Sequence, residues 1–457
     1  MSIATCFKIV ICILMSTPYE SYALGDGEHS ELNSLQHKNV SRPTDASKGI
    51  KREMLGATDD FNSFYETVAA NNNPITQVEK LDQQKLTKSP LLNQGWNYYS
   101  FSTKVGGAAF REELLSLESW KERYDEYLKS PTEKLILENK ISQLSPIEKY
   151  EYLIGTTEYT LTQEEWKKGV DLYNRFQKVP SWAGACHGTA PAILNSKEPN
   201  KDITVTSADG KRVVHFSLRD LKVLISYIWA HNPAPFAMLG QRCNYPMSTE
   251  TYDQVSSCFD TNPGSFHLAM TNLVGKDNQA IILDTSPGKE VWNRPVLQYE
   301  YQYINPITKR PTQKLSSAQV DIKKFTNDPY KHKRSKKAVT VVGIWMKVKL
   351  LSDIPLEEES PKEPLLRDIE FVYDLEIDRL GHIVGGEWQT KQFPDFAWIN
   401  KAGTQPLTIY DRIWRRSYSN SHVQSQIPQA LNQVALQSHA RGAMSYYFLE
   451  YLTLLAQ

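Results

Sequence analysis

The sequence predicts an α+β protein, with a helical N-terminal half followed by a mostly antiparallel sheet. Three observations predict it. Between residues 111 and 178, apolar positions recur at helical spacing, with Leu117, Trp120, Tyr124 and Leu128 on one face and Trp166, Val170, Tyr173 and Phe176 on another. Three helix starts punctuate that region: Ser130-Pro-Thr-Glu133, Ser145-Pro-Ile-Glu148 and Thr162-Gln-Glu-Glu165 each pair a hydroxyl with a glutamate three residues on. Toward the C-terminus the pattern alternates instead, with Ile369, Phe371, Tyr373, Leu375 and Ile377 on one face and Glu370, Asp374 and Glu376 opposite.

The chain opens on an export signal. Lys8 is the only positive side chain before the apolar run Ile9 to Met15, and Ser21-Tyr-Ala23 sets small residues where a signal peptidase cuts. Residues 1–23 are read as a signal peptide, so the mature chain is expected to be secreted or periplasmic. No other run approaches the ~20 apolar residues of a membrane span. Residues 24–92 are polar and weakly periodic and read as a linker or pro-segment. Residues 93–400 read as the main folded region, and 401–457 as a helical tail with an apolar cluster at Met444, Tyr447, Phe448, Tyr451, Leu452 and Leu455. The formal net charge is zero, which gives no reason to expect a nucleic-acid or membrane partner.

Export makes the cysteines informative. Of five, Cys6 and Cys12 lie in the signal, leaving Cys186, Cys243 and Cys258. Cys243 and Cys258 flank a polar loop and are the expected disulfide pair; closing so short a loop contributes about 3 kcal/mol. Cys186 is then the odd thiol. It sits in Ser181-Trp-Ala-Gly-Ala-Cys186-His-Gly-Thr-Ala-Pro191, a tight turn leading into a helix start, where the helix dipole favours a thiolate. Pro191 must lie within the first turn of that helix or kink it.

A hairpin is expected about Ala208-Asp-Gly210, followed by a helix carrying Leu221, Leu224, Ile225, Ile228 and Trp229. Ser265 to Val274 and Gln279 to Asp284 read as two strands joined about Gly275. With the turn at Gly275 and Lys276, His267 falls opposite Asp284, and a shift of the turn moves the pairing by a residue or two; opposed, the two have the geometry in which a carboxylate fixes an imidazole tautomer. Taken singly, His267 reads as a core histidine and Asp284 as a turn residue. Beside a free thiol they read as base and orienter. His187 adjoins the cysteine but points away on a helix, His231 caps a helix C-terminus, and His215 is structural.

Several ordered motifs resemble the transglutaminase elicitor family of oomycetes and bacteria: Leu144-Ser-Pro-Ile-Glu-Lys-Tyr150, Trp182-Ala-Gly-Ala-Cys-His-Gly-Thr-Ala-Pro-Ala192, Asn262-Pro-Gly-Ser-Phe-His267, and Asp284 followed by Glu290-Val-Trp-Asn-Arg-Pro-Val296. Tyr303-Ile-Asn-Pro-Ile-Thr308, Gly385-Gly-Glu-Trp388, Pro394-Asp-Phe396 and Trp398 continue it, so the resemblance runs from about residue 90 to 400. It implies a papain-like, transglutaminase-like cysteine enzyme core. It implies that Cys186 is the nucleophile, His267 the base and Asp284 the orienter. The implied reaction transfers the acyl group of a protein glutamine to a lysine or other primary amine through a thioester. The implied partners are glutamine- and lysine-bearing proteins. Val291, Trp292, Asn293, Arg294, Pro295 and Val296 match the segment that plants recognise in the family. Trp182 and Thr189 are candidates for the transition state or the substrate wall.

Two departures stand out. Thr189 replaces the family's usual Trp, and Arg294 its usual Gln. The same triad also serves a glutamine deamidase or peptidase, and the scaffold alone serves a non-catalytic surface or immune-recognised protein. Thioester chemistry requires no cofactor. Glu357, Glu358 and Glu359 offer oxygens to Ca2+, without EF-hand spacing. The basic run from Tyr330 to Lys337 reads as a solvated loop, and Ala338 to Leu350 as a strand whose Lys347 and Lys349 complement the acidic face of the strand at 369–377.

Overall fold

The computed structural model describes residues 59–69, 73–242, 261–286, 290–356, 358, 361, 363–415 and 423–457. The signal peptide, Cys243 and Cys258, and Glu357 and Glu359 lie outside the described residues.

The described part of the stretch read as a linker is core. α1 (Phe61–Val68) buries Phe61, Phe64, Tyr65 and Val68, and α2 (Val78–Gln83) buries Val78 and Leu81. Apolar residues are sparse there, but nearly all of them face inward. Asp59 ties α1 to the body, accepting the Asn262 amide at 3.0 Å and, through its carbonyl, the Ser265 hydroxyl at 2.7 Å.

β1 (Tyr98–Ser100) precedes the helical block of α3 (Trp120–Lys129), α4 (Thr132–Leu137), α5 (Pro146–Ile154) and α6 (Thr160–Phe176). Of the three expected capping boxes, only Ser145–Glu148 forms, at the start of α5. Ser130 closes α3 instead, and Pro131 opens α4 without a side-chain cap. α6 begins two residues ahead of Thr162. The buried Glu151 carboxylate receives the Leu161 and Thr162 amides, so the cap comes from α5. α3 carries an unforeseen box, Ser119 with Glu122.

α7 (Cys186–Asn195) leads to the expected hairpin of β2 (Ile203–Thr206) and β3 (Val213–Phe216), then to α8 (Leu218–His231) and β4 (Phe236–Gly240). After α9 (Pro263–Ala269) come β5 (Ile282–Asp284), β6 (Asn293–Ile304), β7 (Pro311–Thr312), α10 (Leu315–Ala318) and β8 (Val320–Asp321). β9 (Thr340–Leu351), β10 (Asp353–Pro355), β11 (Leu366–Ile377), β12 (Ile383–Trp388) and β13 (Phe396–Asn400) complete the strands, and α11 (Ile409–Trp414), α12 (Gln429–His439) and α13 (Tyr446–Leu455) end the chain.

The main sheet runs β12-β11-β9-β6-β5-β13-β4, antiparallel at every pairing, with β7 on β6 and β8 on β9. β10 pairs in parallel with β1. In the β9/β11 register Lys347 faces Glu370 and Lys349 faces Asp368, the complementarity expected from the sequence. The basic run is not a freely solvated loop. Lys333 and Arg334 are buried, and Arg334 is held by Asp328 at 3.0 Å and Asp374 at 2.8 Å, because the sheet face beneath it is acidic. In the C-terminal helices Met444, Phe448, Tyr451 and Leu452 are fully buried against the body.

Candidate active site

Residues 178–185 approach α7 as an extended turn anchored on residues 102–103. Thr103 donates its amide to the Ala183 carbonyl at 2.7 Å, and Gly184 bridges Ser102. A Cβ at Gly184 would meet the Ser102 Cα at 3.1 Å, so a larger residue there would push the turn a few tenths of an ångström away from Ser102. Cys186 is the first residue of α7 and follows Ala185, which offers no side-chain cap. The first-turn amides therefore present their partial positive charge at the thiol. Gly188 lets α7 press onto α8, since a Cβ there would lie 2.4 Å from the Ala230 Cβ. Pro191 sits at the sixth helical position, beyond the first turn. It removes the amide that would meet the His187 carbonyl.

The opposite wall comes from the sheet. Asp284 pairs with Asn293 in the β5/β6 register. Directly opposed residues of an antiparallel pair share a face. Their side chains therefore stand together on the side that meets Cys186. The Cys186 thiol donates to the Val291 carbonyl at 3.4 Å and accepts from the Asn293 amide Nδ2 at 3.5 Å. Asn293 Oδ1 accepts the Trp398 indole N–H at 2.7 Å. Asp284 Oδ1 accepts the amides of Trp292 at 2.8 Å and Ser286 at 3.3 Å, and Oδ2 is buried without a hydrogen-bond partner among the described residues. Arg294 donates to Asp353 at 2.6 Å and to the Tyr98 hydroxyl at 3.4 Å, and its guanidinium lies 5.7 Å from the Trp292 ring centroid. The cleft over the thiol is walled by Tyr98, Phe101, Trp182, Thr189, Trp292 and Arg294. Thr189 spends its hydroxyl on the Ala185 carbonyl at 3.1 Å, so it offers the cleft a methyl wall.

Burial dominates the electrostatics. It pushes the Cys186 thiol up, against the N–H groups of Asn293 and the Arg294 charge, while Asp284 pushes it further. Burial also raises Asp284 to about 7, against the Trp292 and Ser286 amides.

His267 departs from expectation. It lies on α9 rather than on a strand, because Asn262 caps the helix by accepting the Gly264 amide at 2.9 Å and Pro263 occupies its first turn. Its ring is fully buried, Nδ1 bonds the Tyr373 hydroxyl at 2.9 Å, and the Tyr301 ring packs at 4.8 Å. Burial alone lowers its pKa to about 3. Among the described residues no hydrogen bond, ion pair or charge interaction links His267 to Cys186 or Asp284, and Asp284 orients backbone amides rather than an imidazole. His187 bonds the Ala230 backbone on α8, away from the thiol. The structure thus unites Cys186, Asp284, Trp182, Thr189, Trp292, Asn293 and Arg294, and leaves His267 in the core. Tyr98 and Asp353 carry no local sequence signal, and the role of Trp398 depends on a contact 105 positions away.

Among the described residues no group of three or more His, Cys, Asp or Glu side chains is arranged to hold a metal ion, and no helix is long and apolar enough to cross a membrane.

Residues 167–414 match the family model described as transglutaminase elicitor. The crystal structure of the GP42 transglutaminase from Phytophthora sojae is similar in fold, with a TM-score of 0.50 and 16% identity over 86% of this chain and 99% of that one. No curated protein matches the chain significantly.

Proposed function

The chain belongs to the transglutaminase elicitor family, and from that premise we propose that it is a protein-glutamine γ-glutamyltransferase acting on glutamine- and lysine-bearing proteins. The observation that carries this reading is the half-buried free thiol of Cys186 at the start of α7, hydrogen-bonded to the Asn293 amide of β6 and within reach of the charge of the buried Asp284 carboxyl on β5. Asp284, rather than His267, is the proposed proton acceptor. A carboxyl with a pKa of about 7 and an unpartnered oxygen is basic enough at neutral pH to help deprotonate a thiol.

The thiolate attacks the carboxamide carbon of a glutamine side chain. The carbonyl oxygen becomes an oxyanion, for which the Cys186 amide at the helix start is a donor. Asp284, now protonated, returns its proton to the nitrogen as the C–N bond breaks, releasing ammonia and leaving a thioester. A primary amine then attacks the thioester, Asp284 takes the amine proton, and collapse forms the amide and restores the thiol. The aromatic walls of the cleft favour the alkyl stem of a lysine over bulk water. Export of the mature chain, supported by the apolar run Ile9 to Met15, belongs to the same proposal.

The test is incorporation of a fluorescent primary amine into a glutamine-bearing protein by wild type and Cys186→Ala, with ammonia followed in parallel. Incorporation lost in the variant supports the proposal. Ammonia release without incorporation would replace it with a deamidase, and peptide cleavage with a protease.

A further inference from the structure

We propose that Asn293 is a catalytic residue whose side-chain N–H, aimed by Trp398, holds the sulfur anion of Cys186. The inference rests on the reading of Cys186 as the nucleophile and adds to it a residue otherwise marked only as part of the recognised segment.

Trp398 Nε1 is a donor and nothing else, so the atom of the Asn293 amide 2.7 Å from it must be the oxygen. That fixes the flip of the amide. Its NH2 group then faces the sulfur, at 3.5 Å. Asn293 is 5% exposed, so water does not compete for these positions. The backbone N–H of Asn293 also favours the charged form of the sulfur. The adjoining Val291 carbonyl does the opposite. It can only accept, so it holds the neutral thiol, at 3.4 Å. One short stretch of chain thus offers the sulfur an acceptor when protonated and donors when charged. Loss of the proton needs no rearrangement of the wall.

Trp398 is a positioning residue in this scheme. It stands on β13, opposite Met238 of β4 and Ile282 of β5, so the sheet that carries Asp284 also sets the Asn293 amide.

The test is the pH profile of Cys186 alkylation by iodoacetamide, which reads the thiol itself. Its result therefore stands whether or not amine transfer is detected. In Asn293→Ala the rate at pH 7 should fall about tenfold and the midpoint rise by about one pH unit. Trp398→Phe, which keeps the ring and loses the N–H, should move the midpoint the same way by a smaller amount, and should add nothing in the Asn293→Ala background. A folded Asn293→Ala protein with an unmoved profile overturns the proposal. So does Trp398→Phe shifting the profile equally in both backgrounds. If Asn293→Ala fails to fold, an unmoved profile in Trp398→Phe alone overturns it.

Discussion

Asp284 and Asn293 face each other across β5 and β6, so a carboxyl raised to about 7 and an amide donor stand on the same side of the sheet, Asn293 in hydrogen-bond contact with the Cys186 sulfur and Asp284 acting on it through its charge. The two groups act on the thiol in opposite senses, and their contributions separate by pH.

For Asp284 the folded pKa lies above the ordinary carboxylate value near 3.9. Between about pH 4 and 7 the folded protein binds more protons at this group than the unfolded chain. Its burial is therefore without cost below that window and fully destabilising above it, by about 4 kcal/mol. Asp284→Asn keeps an acceptor for the Trp292 and Ser286 amides and removes the charge. The variant should unfold at higher denaturant than wild type at pH 8, equal it near pH 4, and lose amine incorporation. Wild-type incorporation should rise through about pH 7 on its acid limb. Denaturant titrations at both pH values and a rate profile check this, and an active Asp284→Asn protein would exclude the carboxylate as proton acceptor.

For His267 the shift runs the other way. Its folded pKa is lowered to about 3 by burial, so the unfolded chain binds the extra proton between about pH 3 and 6.5. Stability from the neutral ring is complete above 6.5 and is lost as pH falls toward 3. His267→Phe keeps the ring contact with Tyr301 but leaves the Tyr373 hydroxyl with only the Met346 sulfur at 3.8 Å. It should cost about 1–3 kcal/mol at pH 7 and less at pH 4.5, leaving the Cys186 alkylation profile in place. A collapse of thiol reactivity in the folded variant would return His267 to the active site.

How far the sequence reveals this site depends on the kind of signal each residue leaves. The β9/β11 pairing is legible because one face meets water, so Lys347 and Lys349 mark it. The position of Cys186 at a helix start is legible from its small neighbours. His267 is misread because α9 is buried on every side. Phe266, Leu268 and Ala269 are buried together with Ser265 and His267, leaving no exposed polar face, and a short run without one looks alike as helix or strand. Asn293 and Arg294 are visible as a motif, but their partners Trp398 and Asp353 come from distant strands that no local pattern connects.

Gly188 tests the packing that presents the thiol. A Cβ there lies 2.4 Å from both the Ala230 Cβ and its backbone nitrogen, so α7 must move away from α8. Gly188→Ala should cost about 1–3 kcal/mol in urea unfolding despite the better helix propensity of Ala. It should also slow alkylation, because Cys186 moves away from Asn293. A variant as stable and reactive as wild type would mean that the two helices adjust independently of the site.

If the protein is exported as proposed and Cys243 pairs with Cys258, the unreduced protein should carry one free thiol, Cys186. Titration with a thiol reagent under denaturing conditions should find one equivalent, blocked by prior treatment of the native protein with iodoacetamide. Three equivalents would remove the disulfide.

Arg294, which is buried, and Asp353, which is partly exposed, form an ion pair joining β6 to β10 beside the thiol. The Arg294 charge favours the Cys186 anion, so Arg294→Gln should raise the alkylation midpoint. The same change leaves the Asp353 carboxylate without its cation, and Asp353→Asn leaves Arg294 without its anion. Removing one partner leaves the survivor's desolvation less well offset, and because Asp353 is partly exposed the cost stays below that of a fully buried pair, at about 1–3 kcal/mol. Each single variant should therefore be markedly less stable than wild type. The double variant should recover much of the loss, since Gln and Asn can bond each other as neutral amides. Only stability should recover: the alkylation midpoint should stay raised in the double variant, because the cation near the sulfur is still missing. A midpoint that follows stability back to the wild-type value would show that Arg294 acts on Cys186 through the fold of β6 and not through its charge.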